Sequence, residues 1–250
     1  LPALQDVVTA FMLLTRLPVG WLGIRGSAGL ARCVWAFPVV GLAVGSLGGS
    51  AYWLAHSLGV PAFLAASWAT VALLLTTGAF HEDGLADTAD GFGGGATRER
   101  KLVIMRDSRI GTYGAAALGL SLLIRISALA ALERPYSVLI AFIAAAVAGR
   151  AAMIVPLLVL PPARADGMAA GMRDIPRWSA MLGLGLAGLA LLSLLPVGAA
   201  FIIAVAVLAA SLALAGLARA QIGGHSGDVL GATEVIAECV ALTVIAATLA

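Results

Sequence analysis

The chain has 250 residues, of which 61% are hydrophobic and 11% charged, with a formal net charge of +2. A soluble domain carries roughly 25% charged residues, so the charge here is too sparse to cover a water-facing surface. A balance this close to neutral gives no reason to expect a nucleic-acid partner; the lipid bilayer is the expected surrounding.

In chain order, Leu1 to Leu17 predict a short helix with Leu4, Val7, Val8, Phe11 and Leu14 on one side, ended by Pro18. With Asp6 inside, it suits an interfacial or re-entrant helix better than a span. No basic start precedes an apolar core, so no signal peptide is expected and insertion falls to the internal spans. Arg16, Arg25 and Arg32 lie in and after this segment. The first span is expected from Cys33 or Val34 to Leu54, where Gly41 and Gly45 make a small-xxx-small surface for close helix packing. A second span runs from Pro61 to Ala79, and a third, from Tyr113 to Leu132, contains Arg125. Glu133-Arg134-Pro135 is a tight turn before a fourth span, Tyr136 to Val159, which contains Arg150. The uncharged run Trp178 to Ala218 has 41 residues and divides at Pro196-Val197-Gly198. That is enough for two spans of roughly 20 residues each. The loop Ala220 to Ala232 leads into a last span with Glu234 and Glu238 in its first turns. Cys33 and Cys239 are far apart and lack a partner motif, so packing is the expected role of both.

The expected fold is therefore all-α: one polytopic integral membrane bundle over residues 1–250, with about seven transmembrane helices plus the short N-terminal helix. A barrel would need short alternating strands. With the first loop inside, only Arg134 of the 15 basic residues falls in an outside turn, and Arg125 and Arg150 fall within spans. All the others are inside, a strong positive-inside bias that puts the polar motifs on the cytoplasmic face.

The polar block is Phe80 to Gly114, which reads FHEDGLADTADGFGGGATRERKLVIMRDSRIGTYG. Asp83, Asp87 and Asp90 follow the spacing i, i+4, i+7 and share a narrow arc of one helix face. Like charges stacked in this way repel, and a multivalent cation would remove the penalty. Oxygen-only donors suit Mg²⁺ or Mn²⁺, and Mg²⁺ is commonly held by one or two carboxylates plus substrate phosphates. Glu82 projects about 100° from Asp83 and would serve from the side or at the helix end. The spacing does not fit an EF-hand. His81 and His225 lack the HExxH or cysteine context of a zinc site. A solvated helix between spans is the plain alternative, although such helices usually mix their charges.

Gly91, Gly93, Gly94 and Gly95 are expected to make a flexible break, followed by Arg98, Arg100 and Lys101 and then Arg106-Asp107-Ser108-Arg109. Basic groups beside a divalent metal suit a pyrophosphate; topology alone also accounts for many of them. Arg125 and Arg150 are expensive in hydrocarbon, and each is expected either to reach a ligand or to pair with Glu234 or Glu238. Asp228 stands at a helix entrance among Gly223, Gly224 and Gly227, either as a cap or as a ligand contact.

HEDGLADTADGFGGG, RDSRIGTYG from Arg106 to Gly114 and GGHSGDVLGA from Gly223 to Ala232 together resemble, in order and spacing, the motifs of the cobalamin synthase family, the adenosylcobinamide-GDP ribazoletransferases. The resemblance covers most of the chain; Arg106 departs from it, since Lys often stands there in the family. It implies a Mg²⁺-dependent enzyme of the bacterial inner membrane that joins adenosylcobinamide-GDP to α-ribazole, or its 5′-phosphate, and releases GMP. Under it, Glu82, Asp83, Asp87 and Asp90 are the expected metal ligands. Arg98, Arg106, Ser108, Arg109 and Arg150 are the expected phosphate contacts. Asp107, Asp228 or one of the 83–90 carboxylates would take the hydroxyl proton. A homo-oligomer is compatible with this reading. A CDP-alcohol phosphotransferase fits less well, because its pattern has an Arg soon after the first Asp-Gly pair and here none follows Asp83-Gly84 until Arg98. A transporter would predict repeated spans with mid-membrane polar groups, and no internal repeat is visible.

Overall fold

The computed structural model describes residues 2–22 and 29–249, which form eleven α-helices and a few 3₁₀ turns. Arg25 lies outside the described residues. The helices are α1 (Pro2–Leu14), α2 (Phe37–Ser57), α3 (Ala62–Thr77), α4 (Phe80–Gly94), α5 (Arg98–Ile104), α6 (Thr112–Ala131), α7 (Pro135–Ala152), α8 (Ile154–Val159), α9 (Arg177–Leu194), α10 (Val197–Ile222) and α11 (Gly227–Leu249). Among the described residues, six helical stretches are long and apolar enough to cross a membrane, or seven if the bent pair α3–α4 counts as one span. The chain is an all-α polytopic membrane bundle. Large apolar side chains such as Trp68, Leu75, Met181 and Phe201 remain exposed on its outside, as lipid contact requires.

Segment ends follow local chemistry. Pro61 and Pro196 stand before the first residues of α3 and α10, where a missing N–H costs nothing. Pro156 cannot donate to the carbonyl one turn back, and the helical ladder breaks at Met153 between α7 and α8. Gly78 and Ala79 both adopt left-handed backbone angles, φ 67° and 53°, and turn α4 by 90° from α3. A left-handed alanine is uncommon and mildly strained, and it is held here between two helices. Inside α1, Asp6 is buried and accepts hydrogen bonds from Arg32 Nε at 3.2 Å and Trp35 Nε1 at 3.1 Å.

The main core lies between α2, α7 and α11, with α3 and α6 alongside. α2 meets α7 through the glycines picked out by the small-xxx-small spacing. A Cβ at Gly41 would stand 2.8 Å from Val147 Cα, and one at Gly45 would stand 2.6 Å from Ile143 Cα. Without side chains between them, the two backbones approach closely enough for dispersion to hold them where lipid offers no hydrophobic drive.

Gly45→Leu is expected to force α2 off α7 and to cost about 1–3 kcal/mol or more. The check is a drop of several degrees in the thermal midpoint of the detergent-purified protein, with Leu42→Ala on the exposed side of α2 as the unchanged control.

Candidate active site

α4 carries the acidic motif, and Glu82 and Asp83 in its first turn favour the positive end of the helix dipole. It is held against α11 at two glycines. A Cβ at Gly84 would lie 2.8 Å from Asp228 O, and one at Gly231 would lie 3.1 Å from His81 O. This backbone contact brings the Asp83–Asp87 face next to Asp228. Asp87 accordingly feels Asp83, Asp228 and Asp90 as like charges and Arg164 as the opposing one. Among the described residues, neither Asp83 nor Asp87 has a hydrogen-bond or ion-pair partner for its carboxylate.

The opposite wall is built from residues 161–167 and the start of α11. Ala163 N donates to His225 O at 2.8 Å and His225 N to Pro161 O at 2.9 Å, an isolated parallel bridge. Arg98 staples both strands of it, donating from Nε to Ile222 O at 2.8 Å and from an Nη to Ala163 O at 2.9 Å. Arg164 donates to Leu102 O at 3.0 Å and comes within 4.0 Å of Asp228. Two adjoining cavities open between the walls, sharing Phe80, Asp83 and Arg106. The smaller, about 230 Å³, is lined by Arg164, Asp166, His225, Ser226 and Asp228 among others. The larger, about 660 Å³, is lined by Arg16, Glu82, Asp87, Asp107, Ser108 and Arg109 among others.

All three sequence motifs thus meet at one place. The family model for cobalamin-5-phosphate synthase matches residues 6–246. The chain belongs to that family. It is 47% identical over 244 residues to the adenosylcobinamide-GDP ribazoletransferase of Bradyrhizobium diazoefficiens, covering 98% of this chain and 94% of that protein. It is 45% identical to the protein of the same name from Mesorhizobium japonicum, over 96% of this chain and 92% of that one. The protein of that name from Azorhizobium caulinodans is 44% identical over 94% of this chain and 92% of its own. No solved structure matches the chain.

Within this site, several residues expected at the phosphate have other partners. Arg150 is fully buried and pairs with Glu234 at 2.8 Å and Glu238 at 3.2 Å, away from both cavities. Arg125 pairs with Glu82 at 2.8 Å and Glu238 at 3.1 Å. His81 Nδ1 lies 3.5 Å from Glu234. Glu82 therefore spends one oxygen on Arg125, although it borders the larger cavity. Asp90 accepts from Gly111 N at 2.6 Å and Gly114 N at 2.9 Å, and so caps α6 from outside that helix. Arg98 is the staple described above. The glycines expected to form a flexible break stay helical through Gly94. A Cβ at Gly93 would meet the Tyr113 ring at 2.6 Å and one at Gly95 would meet Lys101 at 2.5 Å, so these glycines admit close neighbours.

Arg106, Asp107, Ser108 and Arg109 do line the larger cavity. Arg106 is paired with Asp166 at 2.7 Å and Arg109 with Asp107 at 2.7 Å, both in exposed positions. Hydrogen bonds from Arg109 hold the Asp107 carboxyl down to about 2, so it remains ionised and is a weak proton acceptor. Arg16, Arg164, Asp166 and His225 border the cavities without having been singled out as site residues in the sequence. The GGHSGD motif contained one signal, a histidine flanked by glycine and serine at a helix entrance.

No group of three or more His, Cys, Asp or Glu side chains among the described residues forms a ready-made metal cage. Two unpartnered carboxylates facing a cavity rimmed with arginines still fit a hard ion that takes its remaining ligands from phosphate and water.

Replacing Arg150 by Met should leave Glu234 and Glu238 short of a cation and cost about 3–5 kcal/mol. Asp90→Ala should cost about 1–2 kcal/mol through the lost cap. Thermal midpoints in detergent check both; an unchanged midpoint for Arg150→Met would mean the buried pairs do not hold the bundle.

Proposed function

We infer that this chain transfers the cobinamide phosphate of adenosylcobinamide-GDP to α-ribazole, or to its 5′-phosphate, giving adenosylcobalamin or adenosylcobalamin 5′-phosphate together with GMP. The observation that carries this is the convergence of the three family motifs on two adjoining cavities that share Asp83 and Arg106. One cavity per substrate, with the shared residues at the junction, is the arrangement an in-line transfer between two ligands needs.

Mg²⁺ is the proposed cofactor, held by Asp83 and Asp87. Their lack of other partners, their oxygen donors and the arginines opposite support the assignment. Such an ion supplies charge neutralisation to a diphosphate and its leaving group. The remaining work falls to the chain itself. Arg106 and Arg109 hold exposed, solvent-screened ion pairs, so exchanging Asp166 and Asp107 for phosphate oxygens costs little. Ser108 adds a hydroxyl at the same rim. Arg16 and Arg164 bring further positive charge to opposite ends of the joined cavities.

The proposed setting is the inner membrane, with seven spans and the site facing the cytoplasm. α3 has 16 residues, about 24 Å at 1.5 Å per residue, close to a thin bilayer core. If α3 crosses, the 80–112 block lies on the same side as the 161–178 and 219–229 loops, and the basic residues outside the spans gather there except Arg134. α4 then runs along the inner interface, and α1 is proposed as an interfacial helix.

Asp83→Ala and Asp87→Ala should each lower turnover by about 10³-fold or more while the protein remains inserted. Ribazole-dependent GMP release is the readout. Chelation of divalent ions should abolish it and Mg²⁺ should restore it. Near-normal turnover in both variants, or activity that survives chelation, would sink the metal assignment.

A further inference from the structure

His225 stands in the wall of the smaller cavity, with its side chain buried and neither ring nitrogen hydrogen-bonded within the described residues. Buried polar side-chain atoms nearly always have a partner, so a ring with both nitrogens unspent asks for an explanation. A wandering loop does not provide it. The backbone of His225 is pinned on both sides, donating to Pro161 O and accepting from Ala163 N. Arg98 fastens the same two segments from behind. The fold therefore spends two backbone hydrogen bonds and an arginine on holding this residue at the cavity while leaving its side chain unpartnered.

The groups around it have other engagements. Asp228 accepts from Ser226 Oγ at 3.2 Å and lies 4.0 Å from Arg164. Asp166, from the 161–167 segment, is taken by Arg106, which comes from the loop after α5. Asp83, from α4, faces the shared junction where the diphosphate is placed. Asp107 is tied to Arg109 and lies on the rim of the other cavity. Burial lowers the pKa of His225 below the ordinary histidine value, so the ring is neutral at neutral pH and carries a lone pair. Of the groups around the smaller cavity it is the one with a neutral, unoccupied acceptor nitrogen.

We propose that His225 is the general base of the transfer, accepting the proton of the attacking ribazole hydroxyl. The proposal rests on the transfer reaction inferred above. A ring nitrogen takes the hydroxyl proton while the hydroxyl oxygen forms a bond to the phosphorus on the cobinamide side. The bond from that phosphorus to the bridging oxygen breaks, and its electron pair leaves with GMP. The imidazolium then returns its proton to solvent through the open side of the cavity. This assignment places the ribazole in the smaller cavity and leaves the larger one to the corrinoid nucleotide.

The test uses the full-length protein in vesicles, with GMP release from adenosylcobinamide-GDP measured with and without α-ribazole from about pH 5 to pH 9. His225→Gln should lower kcat by about 10²–10⁴-fold, move KM for either substrate by less than about threefold, and erase the acid limb of the wild-type profile. His225→Ala should regain rate when imidazole is added, which a purely structural role would not allow. Unchanged kcat in His225→Gln, a change confined to KM, or no imidazole rescue would each overturn the base assignment. If neither variant inserts, the wild-type profile decides: kcat/KM must fall with acid at a pH below the ordinary histidine value, and a profile flat down to about pH 5 overturns the proposal. Absence of ribazole-dependent GMP release by the wild-type protein would instead remove the transfer reading, and the base with it.

Discussion

The structure depends on a knot of charge buried where lipid-facing helices would least tolerate it. Arg125 and Arg150 come from α6 and α7, Glu234 and Glu238 from α11, and Glu82 from α4. Each ion alone would cost several kcal/mol in hydrocarbon. Together they pair with one another only when all four helices are in place. Glu238 is the centre, since it touches both guanidinium groups. The network does more than hold spans together: by gripping Glu82 it fixes the start of α4, and one residue further on stands Asp83. The face that carries Asp83 is thus anchored to the bundle through an ion pair on its neighbouring face.

Glycine does the complementary work. At Gly84 and Gly231 the backbones of α4 and α11 touch, which is why carboxylates from motifs more than a hundred residues apart share one cavity. At Gly78 a left-handed turn lets the chain leave α3 and swing across the end of the bundle. Asp90 then ties the far end of α4 to the first turn of α6. α4 is held at its beginning by charge, in its middle by close packing and at its end by a cap. Asp83 and Asp87 are left free between these three attachments.

What the sequence revealed depended on the range of the interaction. Helix positions, the division at Pro196 and the helix through Asp83, Asp87 and Asp90 follow from local periodicity and punctuation, and they appear in the structure where that pattern put them, although α3 is long enough to count as a span only together with α4. The fate of individual charges does not follow from local pattern. Arg150 was legible as a costly residue with two candidate partners, but only the folding of α7 against α11 chooses Glu234 and Glu238 over a phosphate. Asp90 shares the arc of Asp83 and Asp87, yet the distant Gly111 and Gly114 claim both of its oxygens. Arg98 reads as a phosphate clamp from its neighbours and becomes a staple because Ile222 and Ala163 arrive beside it. His225 gave no periodic signal at all, and its isolation is visible only once Pro161 has closed over its backbone.

The shared ownership of the buried ions also governs how such a chain is made. α6 and α7 are synthesised with Arg125 and Arg150 already in them, whereas Glu234 and Glu238 leave the ribosome later. Until α11 emerges, neither arginine has its full set of counter-charges, and both helices are poor lodgers in pure hydrocarbon. Their final seating must therefore wait for α11. A nascent chain cut short before Gly227 would keep nearly all of its apolar length and still present Arg150 with neither of its carboxylates and Arg125 with Glu82 alone, a clear flag for membrane quality-control proteases.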